Sequence, residues 1–149
     1  MRLTLHTDFA LRVLIHAGLN NGRLTTISDI AGSFGISKNH LMKVVNDLGR
    51  RGYLETVRGR NGGIQLMREP SDINIGRLVR ETEEELDVLG CLERTGYCRI
   101  ERVCRLRGAV RDATAAFLAV LDGYTLADLI EPRKALSALL LNRPIAADG

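Results

Sequence analysis

SKNHLMKVVNDLGRRGYLETVRGRNGGIQLM, residues 37–67, decides the fold of this chain. Its first half is a helix by periodicity. At about 100° per residue, Leu41, Val44, Val45 and Leu48 share one side, and Asn39, Lys43, Asn46 and Arg50 fall within roughly 60° of one another on the opposite side. Ser37 stands where an N-cap is needed. The second half predicts two strands, residues 53–57 and 64–67, joined by the turn Arg58-Gly59-Arg60-Asn61-Gly62-Gly63. Three glycines there permit positive φ.

Upstream, DFALRVLIHAG (residues 8–18) repeats its apolar positions at helical spacing, with His16 on a helix face and Gly18 at the end. A second short helix opens on the capping-box pair Thr26 and Asp29 and stops at Gly35. Helix, turn, polar-faced helix and Arg-tipped hairpin in that order form a winged helix-turn-helix. Taken alone, the polar face of the third helix also fits a solvated amphipathic helix. The hairpin changes the balance, because arginine on a narrow projecting tip suits a minor groove. The expected duplex contacts are Ser37, Lys38, Asn39, His40, Lys43, Asn46 and Arg50 on the helix, with Arg58, Arg60 and Asn61 on the wing.

Charge supports this placement. Residues 37–68 hold Lys38, Lys43, Arg50, Arg51, Arg58, Arg60 and Arg68 against Asp47 and Glu55, a net of +5 where the whole chain carries +3. The remainder is slightly acidic and includes ETEEELD at 81–87. Such asymmetry is the footprint of a nucleic-acid face. The 149 residues, without Trp and with few aromatics, suit one mainly helical unit with an aliphatic core. No apolar run reaches membrane-spanning length and the start lacks a signal-peptide pattern. The expectation is a cytoplasmic protein with no membrane partner. No Gly-rich phosphate loop, nucleophile motif or paired-carboxylate site appears, so an enzyme is not expected.

The second half begins with Pro70, Ser71 and Asp72, read as the start of a helix over INIGRLVRETEE. A long helix is predicted from about 101 to 121. Val103, Leu106, Val110, Ala113, Phe117 and Val120 recur there at the three-four spacing of a helix–helix seam. A second copy of the chain is the simplest partner, and a homodimer lets two recognition helices read two half-sites. A last helix starts at Thr125 with Asp128 in capping-box position. Pro132 interrupts it, and ALSALLL is expected to pack back on the long helix. The expected organisation is a DNA-binding domain over 1–80, a cysteine loop over 81–105, dimerisation and C-terminal helices over 101–141, and a flexible tail over 142–149.

All three cysteines, Cys91, Cys98 and Cys104, lie within that loop. The spacing is wider than the paired knuckles of zinc sites and suits an iron–sulfur cluster, which is larger. Arg94, Arg99, Arg102, Arg105 and Arg107 add positive charge that offsets an anionic cluster. A thiol–disulfide switch, a zinc site and three unrelated cysteines remain alternatives on spacing and charge alone.

The segments MRLTLHTDFALRVL, TTISDIA and SKNHLMKVVNDLGRRGYLETVRGRNGGIQL, with three cysteines following in order, resemble the Rrf2-type winged-helix iron–sulfur repressors of bacteria. The likeness covers roughly residues 1–125 and is strongest to the nitric-oxide-sensing branch. That resemblance implies a homodimeric repressor in which Cys91, Cys98 and Cys104 hold a cluster, 4Fe-4S in preference to 2Fe-2S. It implies Asp8 of the partner subunit as the fourth ligand, operator DNA as partner and nitric oxide as the signal that relieves repression. His6 lies close enough in sequence to Asp8 to rival it. The cluster-assembly branch carries a histidine three residues after its third cysteine, where this chain has Arg107. A same-family regulator that senses iron or redox status, through a 2Fe-2S cluster, is the alternative.

Overall fold

The computed structural model of the protein describes residues 2–20, 22–96 and 98–141, so the tail expected over 142–149 lies outside the described residues. The Thr4 hydroxyl accepts from the Thr7 N–H and caps helix α1 (Leu5–Leu19). The Thr26–Asp29 capping box starts α2 (Ile27–Phe34), and Gly35 ends it in the left-handed region at φ 65°. Ser37 caps α3 (Lys38–Arg50) by accepting from the His40 N–H. The hairpin follows as β1 (Leu54–Val57) and β2 (Gly63–Leu66), antiparallel, with Leu54 opposite Leu66 and Val57 opposite Gly63. The wing does not float. Thr25 and Ile64 exchange backbone hydrogen bonds of 3.0 and 2.7 Å, which pins β2 to the connection between α1 and α2.

The wing glycines differ in their reasons. Gly59 adopts positive φ, 118°, as expected of the turn. Gly63 is needed for proximity instead, because a Cβ there would lie 2.7 Å from the Thr25 carbonyl oxygen.

The helix expected from Pro70 starts late. Residues Pro70–Asp72 make a single 3-10 turn, and α4 runs Ile75–Thr82 behind an Asn74 cap. The delay has a cause: Ile73 accepts from the Leu126 N–H at 2.8 Å and the Ile75 N–H donates to Tyr124 at 3.0 Å. This extended exchange holds the chain out of helix for two residues. Then come the short α5 (Gly90–Glu93), a 3-10 turn at Glu101–Val103, and α6 (Arg105–Asp122). The long helix therefore begins four residues later than expected, with Cys104 at its N-cap. The Thr125–Asp128 capping box opens α7 (Leu126–Leu129), and α8 (Arg133–Leu140) resumes after Pro132.

The core is built on α1. Ala10, Val13 and Leu14 are fully buried and join Ile30, Leu41, Leu48, Ile73, Leu78 and Leu126 in one cluster. The C-terminal segment makes its main contacts with α1 and α2, a correction to the packing on the long helix expected from sequence. Two polar groups explain this. Arg133 donates to the carbonyls of Leu19 and Gly18 at 3.1 and 3.3 Å, supplying a cation to the end of α1. The Ser33 hydroxyl donates to the Leu140 carbonyl at 2.7 Å.

Helix α6 meets the rest of the chain mainly through α4. Gly76 of α4 sits against Asp122, and a Cβ there would collide with the Asp122 carboxylate and stand 2.8 Å from its backbone nitrogen. The Asp122 carboxylate takes two hydrogen bonds from Arg80, and its carbonyl accepts from the Asn74 side chain at 2.7 Å. Gly76→Ala should therefore cost about 1–3 kcal/mol through overpacking. A thermal melt will show it as a lowered midpoint.

His16 is buried at 2% exposure, deeper than a helix-face residue. Its Nδ1 accepts from the Asn20 amide at 3.2 Å and from the Thr25 hydroxyl at 3.0 Å, and its Nε2 donates to Ser33 at 3.2 Å. Burial holds its pKa below the ordinary 6.5, with Asp29 acting weakly the other way. Below about pH 6.5 the unfolded chain binds a proton there that the folded chain resists, so stability present above that pH is lost on acidification. Urea midpoints should fall from about pH 7.5 to about pH 5.5, and less steeply in His16→Gln.

Candidate functional site

Every residue expected at the duplex is exposed: Ser37, Lys38, Asn39, His40, Lys43, Asn46 and Arg50 on α3, and Arg58, Arg60 and Asn61 in the turn of the wing. Burial of Leu41, Val44, Val45 and Leu48 fixes which side of α3 faces out. Asp47 would weaken that face if left free. Instead it accepts from the Arg51 Nε and the His6 Nε2, each at 2.9 Å. Burial works against its charged form, but these two donors outweigh it and hold the carboxyl below the usual range. The acid on α3 is thereby engaged from behind, and Lys43 and Arg50 keep a basic front.

The cysteines occupy three different local settings. Cys91 lies in α5 and is half-buried, Cys98 is exposed, and Cys104 is half-buried at the start of α6. All three are free thiols. Cys104 opens on a cleft of about 380 Å³ lined also by Asp87, Leu92, Arg107, Gly108 and Arg111. At Gly108 nothing lies within 4 Å of where a Cβ would project, so the helix surface there is bare. Among the described residues, no three His, Cys, Asp or Glu side chains converge as metal ligands. The chain thus supplies soft donors and room beside them, but does not gather a complete set by itself. That donor chemistry fits an iron–sulfur centre.

Sequence reasoning missed Glu101. It accepts from the Gly96 N–H at 2.5 Å and from Arg107 at 2.9 Å, tying the middle of the cysteine segment to α6. As one of two glutamates among five arginines, it gave no signal of which partner it would take.

Asp8 stands in the first turn of α1, paired with Arg12 at 3.0 Å and partly exposed. His6 points elsewhere, to Asp47. The start of α1 is fastened to the end of α4 as well. Glu83 accepts from the Thr4 N–H at 2.8 Å and from its hydroxyl at 3.0 Å. Thr7 donates to Thr82 at 2.9 Å, which in turn donates to the Leu78 carbonyl. Glu83 is the residue from which the cysteine segment departs.

A winged helix-turn-helix, a free cysteine triad and a long helix after it match one family of iron-dependent transcriptional regulators over residues 3–132. The chain belongs to the Rrf2 family. Among Rrf2 relatives it is 52% identical over 145 residues to the HTH-type transcriptional regulator NsrR of Geobacillus kaustophilus, spanning 96% of this chain and 99% of that one. It is 48% identical over 142 residues to NsrR of Bacillus subtilis, spanning 94% and 97%. Of solved Rrf2 structures, the fold is similar to CymR, the global cysteine regulator of B. subtilis, with TM-score 0.64, 27% identity and coverage of 88% and 97%. IscR of T. potens gives TM-score 0.73 at 22% identity, covering 91% of this chain and 90% of that one, a likeness of fold alone. The chain is an NsrR-like DNA-binding transcriptional regulator, not an enzyme. Among the described residues no helix is long and apolar enough to cross a membrane.

If the wing tip meets phosphates, Arg58→Ala and Arg60→Ala should each weaken duplex binding and reduce the slope of log affinity against log salt by about 0.9 for each subunit bound. Asn39→Ala should leave that slope and change sequence preference instead. A salt series on a fluorescent duplex separates the two behaviours.

Proposed function

We propose that the protein is a cytoplasmic homodimeric repressor whose operator affinity depends on a 4Fe-4S cluster and is released by nitric oxide. The supporting observation is the placement of three free thiols on a segment that leaves α4 at Glu83 and ends at the N-cap of α6. Cys91, Cys98 and Cys104 would hold three corners, and Asp8 of the partner subunit the fourth. When bound, the cluster supplies the centre that nitric oxide attacks. A carboxylate is a hard donor beside three soft thiolates, so that corner is the labile one.

The rest is done by this chain's own side chains. Glu83 holds the Thr4 cap, so any shift of the segment pulls on the start of α1. His6, two residues along, grips Asp47 on α3. The path from cysteine segment to recognition helix is therefore a short series of hydrogen bonds across one helix end. A cleft of about 890 Å³ runs between these parts, with Glu83, Glu84 and Glu85 on one wall and Lys43, Asn46 and Arg50 on the other. Movement of the acidic wall changes the field at the duplex face.

The second copy has a surface to meet. Leu106, Ala109, Ala113, Ala116 and Val120 form an exposed apolar stripe along α6, spaced three, four, three, four. Val110 and Phe117, expected in that seam, are half-buried toward their own chain, while Leu118 packs inward. Alanines at the centre let two such helices approach closely.

The test is isolation without oxygen, native mass spectrometry for iron and sulfide, and duplex binding before and after nitric oxide. Each cysteine-to-alanine variant should lose the iron and the nitric-oxide response together. Asp8→Ala should keep a cluster that decays faster. His6→Ala should keep the iron yet narrow the difference in affinity between the two states. A response to chelation without one to nitric oxide would point to iron as the signal.

A further inference from the structure

One side chain on α3 is used by neither the core nor the charges. Met42 is 57% exposed, although Leu41 before it and Val44 and Val45 after it are buried. A single exposed apolar residue is ordinary on a protein surface. This one has an unusual setting. At 100° per residue it lies about 60° around the helix from Asn39 and about 40° from Asn46. It is i+3 from Asn39 and i−4 from Asn46, so all three project from neighbouring points of one surface. Lys38, Lys43 and Arg50 stand around them, all exposed. Met42 is the fifth residue of α3, within the first turn and a half, where recognition helices meet base edges.

Whatever covers this surface must be anionic, given the lysines and arginine around it, and must also present something apolar to Met42. A duplex has one apolar group on its major-groove edge, the C5 methyl of thymine. The neighbouring asparagine amides suit the N6 and N7 edge of adenine, which is the thymine's partner or its stacked neighbour in A·T steps. Methionine is unbranched and adaptable, so it can reach a methyl without forcing the helix deeper into the groove.

We propose that Met42 is a specificity-determining residue that reads a thymine methyl in each half-site, beside adenine contacts from Asn39 and Asn46. The inference rests on α3 as the recognition helix and goes beyond it by naming a base and the group on it.

The experiment uses the full-length protein, isolated without oxygen, and a duplex selected by that protein from a randomised library. Each thymine is then replaced in turn by deoxyuracil, which removes the methyl and leaves every hydrogen-bonding group. Wild type should lose about fourfold in affinity at one symmetry-related pair of positions, the worth of one buried methyl. Met42→Ala should bind the unmodified duplex more weakly and show no penalty for uracil at that pair. Met42→Leu, which keeps an apolar side chain, should retain the penalty. The proposal is overturned if Met42→Ala keeps the full uracil penalty, or if no thymine methyl affects wild type. In those cases a parallel loss of sequence preference in Asn39→Ala would show that α3 still reads the duplex. No effect from Asn39, Lys43 or Met42 substitutions would instead remove α3 from the groove altogether.

Discussion

The first turn of α1 is the constraint on which the other parts depend. Three side chains within four residues reach two other elements: Thr4 and Thr7 to Glu83 and Thr82 at the end of α4, and His6 to Asp47 on α3. Behind them the same helix buries Ala10, Val13 and Leu14 completely. The start of α1 therefore cannot drift without breaking polar contacts whose partners are half-buried or buried, and that loss is costly. Asp8 sits in the middle of this turn. A ligand at Asp8 would act on a turn already linked to α3 through His6 and to the end of α4 through Thr4 and Thr7.

Electrostatics in the winged half is arranged so that acids are engaged away from the basic front. Asp47 is held by Arg51 and His6. Glu81 accepts from the Tyr53 hydroxyl at 2.8 Å and from Arg77 at 2.7 Å. Burial opposes its charged form, and these two donors still keep its carboxyl below the usual range. Burial together with the Glu81 contact pushes Tyr53 up to about 12, so that phenol stays a donor across all working pH. The Tyr53 ring in turn carries the Arg68 guanidinium 4.6 Å above its centre. The effect is to engage Asp47 and Glu81 in contacts of their own, which leaves the exposed cations of α3 less opposed where a polyanion would meet them.

Legibility in the sequence followed the range of the interactions. Both capping boxes, the Ser37 cap, the Gly35 stop and the hairpin are set by residues within a few positions of one another, and each could be read directly. The buried face of α3 followed from its 3.6-residue period. What escaped was long-range and polar. His16 looked like any helix-face histidine because Thr25 and Ser33 reach it only after folding. Gly76 carried no mark of its contact with Asp122, and nothing local told Ile73 to pair with Leu126 instead of starting a helix. Of the residues read as a seam on α6, Val110 and Phe117 are half-covered by their own chain, since period alone does not say which side α4 will occupy. Cys91, Cys98 and Cys104 were easy to single out and hard to place, because among the described residues packing alone does not bring them together as a ligand set.

That last contrast bears on how large a response the fold can transmit. The links at the start of α1 are a handful of hydrogen bonds, worth about 1 kcal/mol each, with His6–Asp47 worth less because its imidazole is 36% exposed. A conformational signal cannot exceed the difference in contacts it makes or breaks. One subunit can then pass on roughly 2–3 kcal/mol, near the usual range for coupled sites. Two subunits gripping one operator add their shares, reaching about 4–6 kcal/mol, or a change of roughly a thousandfold or more in affinity. A single chain would give a graded regulator, whereas a pair joined along α6 gives a switch. In the proposed homodimer the apolar stripe on α6 would bear on signalling as much as on assembly, by letting two modest polar linkages act on one duplex.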